Sequence, residues 1–429
     1  MSNARIADAL QRSSLSQNML AMYALQIANY LIPLLTLPYL LRVLGAAPYG
    51  RIAMAYAVVY LMVLFVDAGF NALATRRLAK PGIARQRISD IFVATQLIKV
   101  AQCLLMFLLL VGLVLSVPGI SADRTIFFAT FPIVIGSLLF PTWLFQGLEI
   151  MHFTTLCSVG GRLLATIGIF VLVKQPGDVV IAALLQASAT AMSGLLALPF
   201  ILKRLRLKLT IPRRRLFTEL RRTLADARAF APAEYLTDVI ANSGVFILGL
   251  FAGDATVGVY AAIEKVARAA ASLFQPLTKA LFPALAGRWM RSVGEAEIYC
   301  RAWSTRIVSL ALLASAGLAV VAPLGLELLF GGGWAQHAPL LRGLAVWLGA
   351  NVTATVVGQF WLLARSAGNT YARCLVTTGT LQLFASVTGA AWLGVTGLVF
   401  AIAASELLRV AMLFSAARSH GQRVIACAS

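Results

Sequence analysis

Acidic side chains are scarce: 16 Asp and Glu stand against 36 Lys and Arg, and charged residues of either sign make up only 12% of the 429 positions. A soluble domain covers itself with charge, so this composition excludes one. Histidine is scarcer still. The three histidines, His152, His337 and His420, fall at or beyond the ends of apolar runs with no ligand-type neighbours, which argues against a metal centre. Five cysteines are scattered without a CxxC, so neither zinc nor a disulfide is expected. No GxxxxGK[ST] loop is present to cradle nucleotide phosphates, and "GGGW" from Gly331 to Trp334 reads as a turn with an interfacial tryptophan. The opening "MSNARIADALQRSSLSQ" has neither an apolar core nor a small-residue cleavage site, so the first span is expected to act as its own targeting signal.

Apolar residues fill the space that charge leaves. They make up 60% of the chain, and the mean hydropathy is +0.85. Hydrocarbon about 30 Å thick takes roughly 20 apolar residues per helix, and about twelve segments reach that length. They lie at 18–42, 52–75, 88–116, 125–148, 152–173, 179–202, 229–252, 256–285, 307–330, 336–364, 371–393 and 395–417. The expected fold is an all-α polytopic membrane protein of two six-helix bundles, 1–202 and 229–429, joined by a basic linker at 203–228.

The net charge of +20 could point to nucleic acid, but its placement argues otherwise. With both termini inside, most Lys and Arg fall in the tails and cytoplasmic loops, which is the positive-inside bias. The densest run, "KRLRLKLTIPRRRLFTELRR" from Lys203 to Arg222, then orients the chain and touches anionic headgroups. No nucleic-acid partner is expected.

The two halves echo each other. "GAAPYGRIA" from Gly45 and "GDATVGVYA" from Gly253 share Gly-x4-Gly-x2-Ala, each after the first long span of its half. The same offset lays Gln26 on Glu234, Tyr30 on Asp238, Asp67 on Gln275 and Asn71 on Lys279, so polar positions inside spans meet polar positions. An even number of spans per copy keeps the orientation, which predicts parallel repeats related by an axis along the membrane normal, with a site between them. Proline pairs (Pro33 and Pro38, Pro132 and Pro141, Pro276 and Pro283) remove backbone donors and allow bends in the first, fourth and eighth spans.

A charge at mid-bilayer costs at least about 2.5–3.5 kcal/mol on insertion scales, so such a group faces protein or water and marks a pathway or an internal pair. Glu234, Asp238 and Asn242 recur every four residues along one stripe. Two carboxylates a turn apart repel when both are ionised, which favours reversible uptake of a proton or Na⁺; hydration near the cytosolic mouth is the alternative. Glu264 and Arg268 are spaced for an ion pair, leaving Lys265 as an unbalanced cation, to which Lys99, Arg162 and Lys279 add. If they share a cavity, its lumen suits a phosphate or pyrophosphate; snorkelling to headgroups competes, above all for Lys99 and Lys279. Asp67 either pairs with a buried cation or gates the path, and Arg76 and Arg77 could meet incoming phosphate. Asn351, Thr355 and Gln359 form a neutral polar face suited to sugar hydroxyls or to helix contact. Glu406 with Arg409, and Glu327 with Arg342, read as structural pairs. Without an ATPase motif, energy would come from an ion, potential or substrate gradient, as in a secondary transporter.

Several stretches resemble a known family. "LQIANYLIPLLTLPYLLRVLGAAPYGRIAMA" (25–55), "DAGFNALATRRLA" (67–79), "PTWLFQGLEIMHF" (141–153) and "VGVYAAIEKVARAAASLFQPLTKALFPAL" (257–285) are similar to oligosaccharide or O-antigen flippases of the polysaccharide transporter family. That resemblance implies the multidrug/oligosaccharidyl-lipid/polysaccharide (MOP) exporter fold, with spans one, two, seven and eight lining a central cleft. It also implies movement of undecaprenyl-diphosphate-linked repeat units across a bacterial inner membrane, without enzyme chemistry or an organic cofactor. A polymerase and glycosyltransferases of the same pathway are possible partners. Arg42, Asp67, Arg76 and the Glu264-Lys265 dipeptide match the family's pattern. Two other readings stay open: a drug/cation antiporter, which would want acidic lumen groups, and a membrane-embedded transferase or polymerase, which would want larger external loops.

Overall fold

A computed structural model of the chain describes residues 15–67, 69–79, 83–204 and 212–428; the side chains of 15–28, 72, 85, 204, 227–234, 236–237 and 420–428 lie outside that description. Among the described residues there are helices and turns and no strand. That is the all-α class expected of a chain whose backbone must satisfy itself in lipid.

The chain divides into two compact units, Met1–Asn242 and Ser243–Ser429. In the first, α1 (Leu15–Leu44) holds Pro33 and Pro38, and the Thr36 hydroxyl donates to the Pro33 carbonyl at 3.0 Å. Gly45, with φ +89°, then turns the chain into α2 (Ala46–Asp67), and the short α3 (Phe70–Leu78) follows. α4 (Arg85–Ser116) and the one-turn α5 (Pro118–Ala122) lead to the fourth expected span, which is not one helix. It is built as α6 (Arg124–Thr130), α7 (Pro132–Leu139) and α8 (Thr142–Gly147). Pro132 opens α7 and Pro141 precedes α8, where a missing N–H costs nothing. α9 (Met151–Leu172) and α10 (Val179–Pro199) form a tight pair, and α11 (Arg213–Asn242) closes the unit.

Small residues set the close approaches in this unit. A Cβ on Gly161 of α9 would lie 2.3 Å from Ser193 Oγ of α10, and one on Gly194 would lie 2.6 Å from Leu139 Cβ of α7. Backbones that near need glycine, the usual means of joining helices where lipid supplies no hydrophobic drive. The "PTWLFQGLE" stretch is a packing element: Trp143, Leu144 and Phe145 are fully buried, and a Cβ on Gly147 would come within 2.5 Å of Leu78 Cβ.

In the second unit, α12 (Gly244–Gly249) and α13 (Asp254–Ser272) are followed by α14 (Gln275–Trp289), which Pro276 opens. The expected span at 256–285 is thus broken near Phe274. α15 (Val293–Phe330) pairs with α16 (Ala338–Val356), whose end widens into a π-helical stretch at Val357–Leu363. α17 (Gly368–Ala428) bends at Gly394 (φ 61°, ψ −140°), which separates the two expected last spans. By length and composition, eight helical stretches among the described residues can each cross a membrane.

Candidate functional site

Asp67 ends α2 and Lys99 lies in the middle of α4. The Lys99 ammonium donates to Asp67 Oδ1 at 2.6 Å and to Asn71 Oδ1 at 3.1 Å, and its side chain is 1% exposed. Rather than reaching for headgroups, this lysine is enclosed and neutralised. Asp67 is 29% exposed and keeps an edge open. A pair of this kind is held by geometry: removing one partner strands the other charge in a low dielectric.

One level further along, Arg77 of α3 is also engaged. It donates to Glu219 Oε1 at 3.1 Å, to Thr223 Oγ1 at 3.0 Å and to Asp226, all on α11. Glu219, 3% exposed, accepts from Arg87 of α4 as well, at 2.8 Å. The acidic positions of the basic linker therefore clamp α11 to α3 and α4. Arg76, the other half of the expected phosphate-meeting pair, is exposed at the end of α3.

Arg162 differs from these. It sits half-buried in α9 with its Nη1 sealed from solvent and without a hydrogen-bond partner, and no ion pair involves it among the described residues. The Tyr56 and Tyr30 hydroxyls lie within electrostatic range of it. Tyr56 stacks on Tyr60 one turn along α2, at 6.0 Å between centroids and 10° between planes.

In the second unit Arg268 makes its expected pair, giving Nε and Nη2 to Glu264 Oε1 at 3.1 and 2.8 Å, and lies 5.9 Å over the Trp347 ring. Glu406, 1% exposed, is met by Arg409 at 3.0 Å, while Asn351 donates to its other oxygen at 3.2 Å. Arg409 spends its remaining donors on Thr378 and Gln382, both at 3.2 Å. The expected Glu327–Arg342 pair is not formed: Arg342 donates to the Ala319 carbonyl at 3.3 Å, one helix across, because α16 presents it to α15's backbone.

Comparison with known proteins follows the same lines. The sequence profile described as "Polysaccharide biosynthesis protein" matches residues 15–289. The chain belongs to that family. A "Putative O-antigen transporter" of Escherichia coli (strain K12) is 32% identical over 271 residues, 63% of this chain and 64% of the relative, so the match spans just under two thirds of that protein. One of the same name from Shigella dysenteriae is 26% identical over 94% of this chain and 100% of its own length. Among solved structures, an inward-facing multidrug resistance MATE family transporter of the MOP superfamily superposes with a TM-score of 0.71 at 13% identity, covering 95% of this chain and 100% of that one. Lipid II flippase MurJ, in an inward closed conformation, gives 0.70 at 10% identity, covering 94% and 87%. At those identities the likeness shows the fold, and the fold is the MOP fold.

The remaining positions singled out in this polysaccharide biosynthesis protein are placed separately. Arg42 is exposed at the last turn of α1, Lys265 is half-buried in α13, Lys279 is exposed on α14, and Gln359 is half-buried in the π-helical stretch. Asp238 is half-buried near the end of α11 and lies within electrostatic range of Asp67. Glu234 shares that helix, but its side chain lies outside the described residues. Residues not picked from sequence include Glu219, Thr378, Gln382 and the tyrosines 56 and 60. For Tyr56 and Tyr60 the four-residue spacing was the available signal; for Glu219, a lone acid within a run of arginines.

Proposed function

We propose that this protein is a flippase that moves undecaprenyl-diphosphate-linked oligosaccharide repeat units from the cytosolic to the periplasmic leaflet for O-antigen or surface polysaccharide assembly. The relationship to a protein named as an O-antigen transporter along essentially the full length of both chains carries this reading. The family match and the MOP fold support it. The protein is a carrier, not an enzyme, and resides in a bacterial inner membrane with both termini cytoplasmic.

The charges fit an anionic head. Arg42, Arg76, Arg162, Lys265 and Lys279 offer cations toward the diphosphate, and Gln359 offers a polar contact to sugars. Lys99 and Arg268 serve this through the carboxylates they hold in place, and Asn351 through the buried Glu406 network. Alternating access carries the head across while the polyprenyl tail stays in lipid. Uptake of H⁺ or Na⁺ at Glu234 and Asp238 resets the cycle, and no other cofactor is required. Polymerase and glycosyltransferases of the pathway are the natural neighbours.

The test is made in a strain lacking the gene, by asking whether an external lectin or hydrolase reaches the completed lipid-linked unit. An inaccessible, accumulated unit with loss of surface polysaccharide is expected. A complete unit already on the outer leaflet would sink the reading and favour drug export or a later assembly step.

A further inference from the structure

Tryptophans at a membrane surface ordinarily turn the indole N–H toward the headgroups and leave the ring in the hydrocarbon. Two in the second unit turn theirs inward. Trp289, the last residue of α14, donates to the Phe360 carbonyl at 3.2 Å, and Trp361 donates to Ser304 Oγ of α15 at 3.0 Å. The Phe360 carbonyl is free to accept because the backbone is π-helical there: the Ala364 N–H goes to Gln359 and the Arg365 N–H to Leu362. The two rings are thus locked in place, and they present their faces instead of a donor.

Arg365 sits against those faces, in the turn between the π-helical stretch and α17. Its guanidinium carbon lies 3.8 Å from the Trp289 centroid and 5.2 Å from that of Trp361, and the rings meet at 61°. The next residue, Ser366, holds a φ of 63°, left-handed territory that a side chain enters only where its surroundings hold it. In this socket Nε is sealed from solvent without a partner, and neither Nη group makes a hydrogen bond or ion pair among the described residues. Glu297 is within electrostatic range, yet its ion pair is to Arg301, at 3.8 Å. A guanidinium stacked on a ring keeps its planar N–H edge for a two-pronged acceptor, and here the protein supplies none.

The surroundings suit a phosphate that carries hydrocarbon. Arg288, beside Trp289, stacks at 3.9 Å on Tyr299, beside Cys300, whose thiol shares the Phe360 carbonyl at 3.4 Å. Met290 follows Trp289 and Ile298 follows Glu297, and these two apolar side chains are 89% and 75% exposed. Cations on aromatic faces next to exposed aliphatic groups match a lipid headgroup with its chains.

We propose that Arg365, seated on Trp289 and Trp361, binds the phosphate of an anionic membrane phospholipid at the basic end of the second unit, the cytoplasmic one by the positive-inside bias. The guanidinium edge takes two phosphate oxygens, and the acyl chains run past Met290 and Ile298. This lipid is a resident of the bilayer and not the cargo, so the site stands whatever the protein carries.

The test uses the full-length protein purified in detergent and stripped of lipid. Thermal unfolding is followed with dihexanoyl phosphatidylglycerol, with inorganic phosphate and with farnesyl diphosphate. The wild type is expected to gain Tm with phosphatidylglycerol and not with inorganic phosphate at the same concentration. In Arg365→Met the apparent affinity for phosphatidylglycerol should fall at least ~10-fold, as loss of a charge-assisted pair requires. Arg291→Met removes an exposed cation two residues from Trp289 and should stay within about 2-fold of the wild type. Any gain with farnesyl diphosphate should survive Arg365→Met. If that variant does not fold, Arg365→Lys carries the test, with a weakened response expected because an ammonium lacks the planar fork. No wild-type response to phosphatidylglycerol would overturn the site, as would an unchanged response in whichever Arg365 variant folds. An equal loss in Arg291→Met would leave only diffuse charge, and an equal gain with inorganic phosphate would leave only a free-anion site. A farnesyl diphosphate response that depends on Arg365 would give the site to the carried lipid instead. Each of these results contradicts the proposal.

Discussion

Lys99 Nζ lies 2.6 Å from Asp67 Oδ1, with the lysine side chain enclosed to 1% exposure at the middle of a membrane helix. The pair explains how a carboxylate at the C-terminal end of α2 is tolerated. Breaking one member of a buried pair typically costs about 3–5 kcal/mol, whereas replacing both with apolar groups of similar size is close to neutral. Asp67→Asn or Lys99→Met alone is therefore expected to lower the Tm of the purified protein clearly, and Asp67→Leu/Lys99→Met to recover most of the loss. A double variant no better than the sum of the singles would mean that the two side chains do not act as a pair.

Glycine is demanded at α8–α3 and α9–α10. Gly147→Ala puts a Cβ 2.5 Å from Leu78 Cβ, and Gly161→Ala puts one 2.4 Å from the Ser193 backbone nitrogen. Overpacking of this kind costs about 1–3 kcal/mol. Both variants should lose yield and Tm, while Gly253→Ala, with nothing within 4 Å of its Cβ, should not. Equal Tm for all three would contradict the packing described.

Gly394 tests the backbone instead. Its φ of 61° with ψ of −140° is territory for glycine alone, and open space around it means that any penalty comes from conformation. Gly394→Ala should destabilise by about 1–3 kcal/mol, readable as faster limited proteolysis at the bend between the last two expected spans.

Asp178, in the loop before α10, accepts from the Lys174 and Gln175 backbone N–H groups at 2.8 and 3.0 Å, which hold its carboxyl below the ordinary 3.8. A carboxylate with a depressed folded-state value contributes stability that is present above 3.8 and lost as pH falls through the folded value. Hydrogen exchange at the Lys174 and Gln175 amides should therefore be protected at neutral pH and lose that protection only at strongly acidic pH. In Asp178→Ala the protection should be absent throughout.

Much of the architecture was legible because its cause is local. Apolar runs set the spans, Pro132 and Pro141 marked where the fourth would break, and Glu264–Arg268 and Glu406–Arg409 announced themselves by helical spacing. What sequence could not convey was which helix faces which. Lys99 is far along the chain from Asp67, so snorkelling and pairing looked alike until α4 was seen beside α2. Asn351 read equally as a face for sugar hydroxyls or for helix contact, and only the structure shows its amide meeting Glu406, where α16 packs on α17. The linker's Glu219 drew no reading from sequence, and the structure buries it between Arg77 of α3 and Arg87 of α4.

The measurement nearest the central claim is translocation by the purified protein in liposomes containing undecaprenyl-diphosphate-linked repeat units, followed by an external lectin or hydrolase after imposing an ion gradient. Flipping predicts that units from the inner leaflet become accessible in protein-containing vesicles and remain protected in empty ones, with Arg162→Met slowed. Equal protection with and without the protein would contradict it.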